Sequence, residues 1–173
     1  MSSLSEIQDD FIAQWGQLGA QWGISKTMAQ IQALLMTSTE PLNTDQIMDR
    51  LVISRGNAHG GLKDLMNWGL ARKVSLKGER KEFFRTEKDP WKIFFIVARE
   101  RRRREIQPLL EMLNSCESQT RDEAGQDFAT FHEQIKTLND FVGLADSALG
   151  RVANSEKSRI SRWLLRLVSG KES

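Results

Sequence analysis

The stretch ISRGNAHGGLKDLMNWGLARKVSLKGERKEFF, residues 53–84, changes its apolar period part-way along, and that change decides the fold. Ser54 is placed to cap a helix that runs from Arg55 to about Trp68. Ala58, Leu62, Leu65 and Met66 then share one side of it, at helical spacing. Gly69 stops the helix in the usual position for glycine, just past the last turn. From Leu70 to Leu76 the pattern is that of a strand. Lys77-Gly78-Glu79-Arg80 is a turn, and Lys81 to Glu87 is the returning strand. A helix is thus followed at once by a hairpin with a basic tip.

Immediately upstream, Asn43 stands three residues before Gln46, a capping box with Asn in place of Ser or Thr. The short helix that follows buries Ile47, Met48 and Leu51 and ends at Val52-Ile53. Short helix, tight turn and second helix make a helix-turn-helix, and the hairpin makes it winged. Further upstream, Leu4, Ile7, Phe11, Trp15 and Leu18 predict a helix over 4–20, weakened at its end by Gly16, Gly19 and Gly23. Ser25 caps a second helix, with Met28, Ile31, Leu34 and Leu35 inward, which runs to about Thr39 before Glu40-Pro41 breaks it. Downstream, Asp89-Pro90 opens a long helix that carries Trp91, Phe94, Phe95 and Ala98 through to about Leu113, with a kink expected at Pro108. Asn114 to Gln126 reads as a break, then helices run from about Asp127 to Val152 and from about Glu156 to Val168. The expected fold class is mainly α: a winged helix-turn-helix with a two-stranded wing, plus long C-terminal helices for dimerisation. Residues 1–89 are the expected DNA-binding domain, and 90–173 a helical linker and dimerisation region.

Charge points the same way. The net charge of +2 hides an asymmetry. Ser54 to Arg104 holds 15 basic and 6 acidic residues, which leaves 10 basic and 17 acidic for the rest. A basic middle in an acidic frame suits a partner that is a polyanion. The single cysteine, Cys116, allows no internal disulfide, which fits a reducing cytoplasm. A redox sensor and a small helix residue are its two readings, the second favoured. The N-terminal residues lack the pattern of a signal peptide. No apolar run approaches the ~20 residues needed to span a membrane, so no membrane association is expected. The two histidines, His59 and His132, fall in different elements. With no phosphate-cradling loop, metal-ligand spacing or nucleophile signature, the chain reads as no enzyme, with no catalytic residues, no metal and no cofactor.

The reading helix places Gly56, Asn57, Gly60, Lys63, Asp64 and Asn67 opposite its core stripe, with Arg55 at the exposed start and His59 beside them. Arg and Asn can contact guanine and adenine in bidentate fashion, and Lys63 suits a phosphate. Ser54, Arg55, Gly56, Asn57, His59, Gly60 and Lys63, with Lys77, Arg80 and Lys81 of the wing, are therefore the candidate contacts to double-stranded DNA. Helical glycine costs about 1 kcal/mol relative to alanine. Gly60 and Gly61 have two explanations, close approach of DNA or close packing inside the domain, and packing is favoured for Gly61. The run Arg99 to Glu105 puts arginines all round its helix, some paired with acids and others adding attraction for DNA. Finally, Phe128, Phe131, Ile135, Leu138, Val142, Ala145, Leu149 and Val152 repeat in steps of three and four. That seam closes either within one chain or between two, and a two-fold DNA site favours a homodimer.

Residues 53–84, with DPWKIF (Asp89–Phe94) and RERRRREIQPLL (Arg99–Leu110), resemble the GbsR branch of MarR-like regulators, over about residues 20–113. The resemblance implies a winged-helix dimer that represses, or less often activates, operons. Some members of that branch control uptake or synthesis of osmoprotective quaternary amines, which raises a small-molecule effector of that class as a further partner. Trp91, Phe94 and Phe95 would supply aromatic faces for it through cation–π attraction, although aromatics at helical spacing more often form core. The rival to a repressor on a near-palindromic operator is a winged helix used for protein interaction without DNA readout. The basic middle argues against that rival. RNA binding would favour exposed aromatics, and most of the Phe and Trp here fall on core phases.

Overall fold

The computed structural model describes residues 3–154. Along the chain it has α1 (Leu4–Gln21), α2 (Lys26–Thr37), β1 (Leu42–Asn43), α3 (Thr44–Leu51), α4 (Arg55–Trp68), β2 (Ala71–Val74) and β3 (Phe83–Thr86). These are followed by α5 (Pro90–Arg101), a π-turn (Arg102–Ile106), α6 (Gln107–Thr120) and α7 (Gln126–Asn154). The helix expected from Glu156 to Val168 lies outside the described residues. Packing divides the chain into two compact units, Met1–Ile93 and Phe94–Ser173. No helix among the described residues is long and apolar enough to cross a membrane.

The first unit is built around α2, whose Ile31 and Ala33 are wholly buried. Ile47 of α3 and Leu62 and Leu65 of α4 join them, with Leu70, Phe83 and Phe84 from the hairpin. Each such large side chain contributes roughly 1.5–3 kcal/mol on leaving water. Helix α1 opens with a capping box between Ser3 and Glu6. Its Gly16 and Gly19 are buried rather than merely permissive. A Cβ at residue 19 would lie 2.5 Å from that of Ala29, so the missing side chains let α1 and α2 approach.

The sheet has the order β1-β3-β2 and is antiparallel throughout. Ala71 pairs with Thr86 and Val74 with Phe83 on one side of β3, and Leu42 pairs with Phe84 on the other. The sequence predicts two strands. The third, β1, has two residues, too few for any period to show, and its Asn43 also caps α3.

Gly61 is where α4 meets α2. A Cβ there would sit 2.6 Å from Ile31 Cδ1, and Ile31 is wholly buried. At Gly60 an added Cβ meets nothing. Gly61→Ala is therefore expected to lower stability by about 1–3 kcal/mol through overpacking. Gly60→Ala should raise it by up to about 1 kcal/mol through helix propensity. Denaturant melts of the two variants check the contrast.

In the second unit, α6 and α7 run antiparallel. Leu113 and Val142 are buried between them, and much of the rest of that seam is polar. Asn139 Nδ2 donates to Asn114 Oδ1 at 2.8 Å and to Glu117 Oε2 at 2.9 Å. Thr120 Oγ1 and His132 Nδ1 share a hydrogen bond of 2.9 Å. The expected break from Asn114 to Gln126 is in fact helix as far as Thr120. The kink expected at Pro108 is taken up earlier by the π-turn, where Gln107 N–H donates to the Arg102 carbonyl five residues back. Pro108 has no N–H for the Arg104 carbonyl, and its ring crowds the preceding turn, so the helix widens there.

Candidate nucleic-acid interface

Helix α3 starts on a complete capping box. Asn43 Oδ1 accepts from Gln46 N–H at 3.0 Å, and Gln46 Oε1 accepts from Asn43 N–H at 2.8 Å. It ends at Val52, which takes a left-handed backbone with φ 52° and is 90% exposed. A β-branched residue in that region is an outlier, costing on the order of 1–3 kcal/mol. The turn between α3 and α4 is thus held tight by its surroundings. Ser54 then caps α4, its Oγ accepting from Asn57 N–H at 3.2 Å. Gly69 closes α4 at φ 79°, and Leu70 N–H returns to the Leu65 carbonyl. Both ends of α4 are therefore fixed by local chemistry.

The stripe Ala58, Leu62 and Leu65 is buried, so the opposite face is outward. Arg55, Gly56, Asn57, His59, Gly60, Lys63, Asp64 and Asn67 are all exposed. Ser54 is exposed as well, with its hydroxyl engaged in the cap. In the wing, Leu76 to Glu79 form a β-turn closed by Glu79 N–H on the Leu76 carbonyl, with Gly78 at φ 88°. That φ is the one a type II turn asks of its third residue. Lys77, Arg80 and Lys81 stand exposed around it.

Three residues without a signal in the sequence pattern belong to the same unit. Arg72 and Arg85 are cross-strand partners, both exposed. Like charges directly opposite repel, and the pair raises the positive potential at the base of the wing. The third is Asp45, in the first turn of α3. Its Oδ1 accepts from Arg55 at 2.8 Å and its Oδ2 from Lys81 Nζ at 2.9 Å. One carboxylate therefore joins α3, the start of α4 and the wing. The hydrogen bond and charge of Lys81, with Arg55 adding to them, hold the Asp45 carboxyl below its usual range, and the Lys81 ammonium is raised in return.

The arginine run is largely occupied within the second unit. Glu100, 7% exposed, accepts from Arg103 and Arg104. Arg101 pairs with Glu105, and Arg102 makes a two-pronged bond to Asp146 at 2.6 and 2.8 Å. Their partners hold the Glu100 and Asp146 carboxyls below the usual range, Arg103 first in the one case and Arg102 in the other.

The structure splits the expected helical seam. Val142 is buried and Ile135 half-buried, while Phe128, Phe131 and Leu138 are each 45% exposed and Leu149 is 38% exposed. The side chain of Val152 is outside the described set. Phe141 and Leu144, absent from the expected seam, are more exposed still. The aromatic group is split too. Phe95 is buried, its neighbour Phe94 is exposed with the two rings 5.6 Å apart edge to face, and Trp91 is half-buried. No group of three potential metal ligands occurs among the described residues.

A helix-turn-helix with a hairpin wing is the architecture of a class of transcription regulators. In keeping with that, the chain is similar to a solved crystal structure of a transcriptional regulator, with a TM-score of 0.67 over 84% of this chain and 95% of the other. Sequence identity to it is 15%, so the likeness is one of fold. No family model matches the chain, and neither does any curated protein.

Proposed function

We propose that this chain is a sequence-specific, DNA-binding transcriptional regulator of the GbsR branch of the MarR-like class, a cytoplasmic repressor that grips a near-palindromic operator as a homodimer. One observation carries the reading. The capped helix α4 turns Arg55, Asn57 and Lys63 outward beside a wing tip of Lys77, Arg80 and Lys81, all in one unit. A helix of this kind enters the major groove and meets base edges with its N-terminal residues, while phosphate contacts fix its register. Residues 1–89 serve as the reading domain and 90–173 as linker and dimer helices. The second copy is held by the outward apolar stripe of α7, in which Phe131, Leu138 and Phe141 stay exposed while Val142 is spent inside the chain.

The test is selection of bound duplexes from a random pool. Enrichment of a two-fold site, with half-sites about one helical turn apart, is expected. A pool that stays unenriched would leave the winged helix as a protein-interaction module. The wing gives an independent check. Lys77→Ala with Arg80→Ala should weaken operator and random DNA alike. It should also flatten the slope of log affinity against log salt by about 0.9 for each phosphate that the wing no longer neutralises. An unchanged slope would remove the wing from the DNA-facing surface.

A further inference from the structure

We propose that Asp45 is a specificity-determining residue of the DNA-reading face: its carboxylate holds Arg55 and Lys81 in one geometry and withholds both from the phosphates of unmatched DNA. This rests on the DNA reading given above. Arg55, ten residues on at the start of α4, and Lys81, 36 residues on in the wing, converge on this one group, at 2.8 and 2.9 Å. Asp45 is partly shielded, with 41% of its side chain exposed, whereas Arg55 and Lys81 are 67% and 59% exposed. Exposed ion pairs contribute little to folding, and the benefit of an acid in the first turn of α3 needs neither cation, so stability alone does not account for the two contacts. Its placement matters for binding. A surface built only to attract a polyanion would leave both cations bare, and Asp45 sits between the reading helix and the wing.

Two effects follow, of opposite sign. On any duplex, Arg55 and Lys81 must leave Asp45 to reach phosphates, or else bind with the repulsion of its charge, and either route weakens sequence-independent attachment. On the matching site, an Arg55 already held at the N-terminus of α4 has less orientational freedom to lose. Asp45 thus lowers affinity for random DNA more than affinity for the operator.

The experiment compares the full chain with Asp45→Asn, on random duplex and on the selected operator, across a salt series. For random duplex the salt slope should steepen by about 1, which corresponds to roughly eightfold tighter binding at 0.1 M salt. The operator should gain less, so the ratio of the two affinities falls. In a Lys81→Gln background the steepening should shrink, because one of the two cations is already gone. Asp9→Asn, which removes from α1 a carboxylate paired with Arg50 of α3, should leave the slope unchanged. Circular dichroism confirms that each variant is folded, and Asp45→Ser serves in place of Asp45→Asn if that one is not. Three results would each overturn the proposal: an unchanged slope in Asp45→Asn, an equal rise in Asp9→Asn, or operator affinity rising in step with random DNA. A wild-type chain that holds no duplex at low salt would instead overturn the DNA reading itself.

Discussion

Replacing Phe131 and Leu138 together with aspartate is expected to convert the proposed dimer to monomers and to remove the proposed operator binding at concentrations that saturate the wild type. The two residues lie seven apart on α7 and are each 45% exposed. They are not needed to close the hairpin with α6, which is held by Leu113, Val142 and the polar pairs of Asn139 and His132. The double variant should therefore keep its helix content. Carboxylates in an apolar interface would have to be buried without partners, which costs several kcal/mol each. Losing the partner also loses the linkage between half-sites, and that linkage can multiply affinity by about 10²–10⁴. Sedimentation velocity reads the first effect and fluorescence anisotropy the second. A variant that stays dimeric would move the interface to another face. Val142→Asp, by contrast, should unfold the hairpin, because that side chain is already 7% exposed in the single chain.

The second large effect is expected at Asn57. Its backbone N–H is satisfied by Ser54, and its side chain is exposed in the first turn of α4. Asn57→Ala should leave the fold unchanged, since alanine favours the helix. Removing a bidentate hydrogen-bond pair to a base costs roughly 1–3 kcal/mol, or about 5-fold to 150-fold in affinity, and falls on one base pair of each half-site. Competition with operators altered one position at a time should show that position alone becoming permissive. Uniform weakening on every sequence would assign Asn57 to the backbone and leave base reading to other residues.

The reading helix was legible because its limits are written locally. Ser54 and Gly69 are adjacent to the segment they bound, and α4 spans Arg55–Trp68 as the spacing predicts. The wing was legible for a similar reason, since its turn carries the glycine that the backbone needs. What was hidden depends on partners distant in sequence. Strand β1 exists only because Leu42 and Asn43 find Phe84 and Phe83, far along the chain. Asp45 reads as an ordinary first-turn acid until Lys81 is folded back onto it. The repeat on α7 marks an apolar stripe, but a three-four spacing does not say what covers it. The inner face is partly polar, with Asn139 and Asp146 meeting Asn114, Glu117 and Arg102. That is why Asn114 to Thr120, with few apolar residues to set a period, reads as a break in sequence and forms helix in the structure.

The π-turn at Arg102–Ile106 has a consequence for how this protein tolerates changes in length. An α-helical residue advances the chain by about 1.5 Å and about 100°, and a π-turn is in effect one residue of slack held inside a helix. Most insertions or deletions in a long helix would swing everything beyond them to a new bearing. Here, removal of a single residue could be absorbed by the widened ring closing to ordinary pitch. The faces of α5 and α6 would keep close to their present bearing, because the widened turn already carries one residue more than an ordinary turn. Arg102 would stay aimed at Asp146, and Glu100 would keep its spacing to both arginines, if the deletion fell after Arg104. The segment is thus a point at which descendants of this sequence can lose a residue without re-aiming either half of the helix.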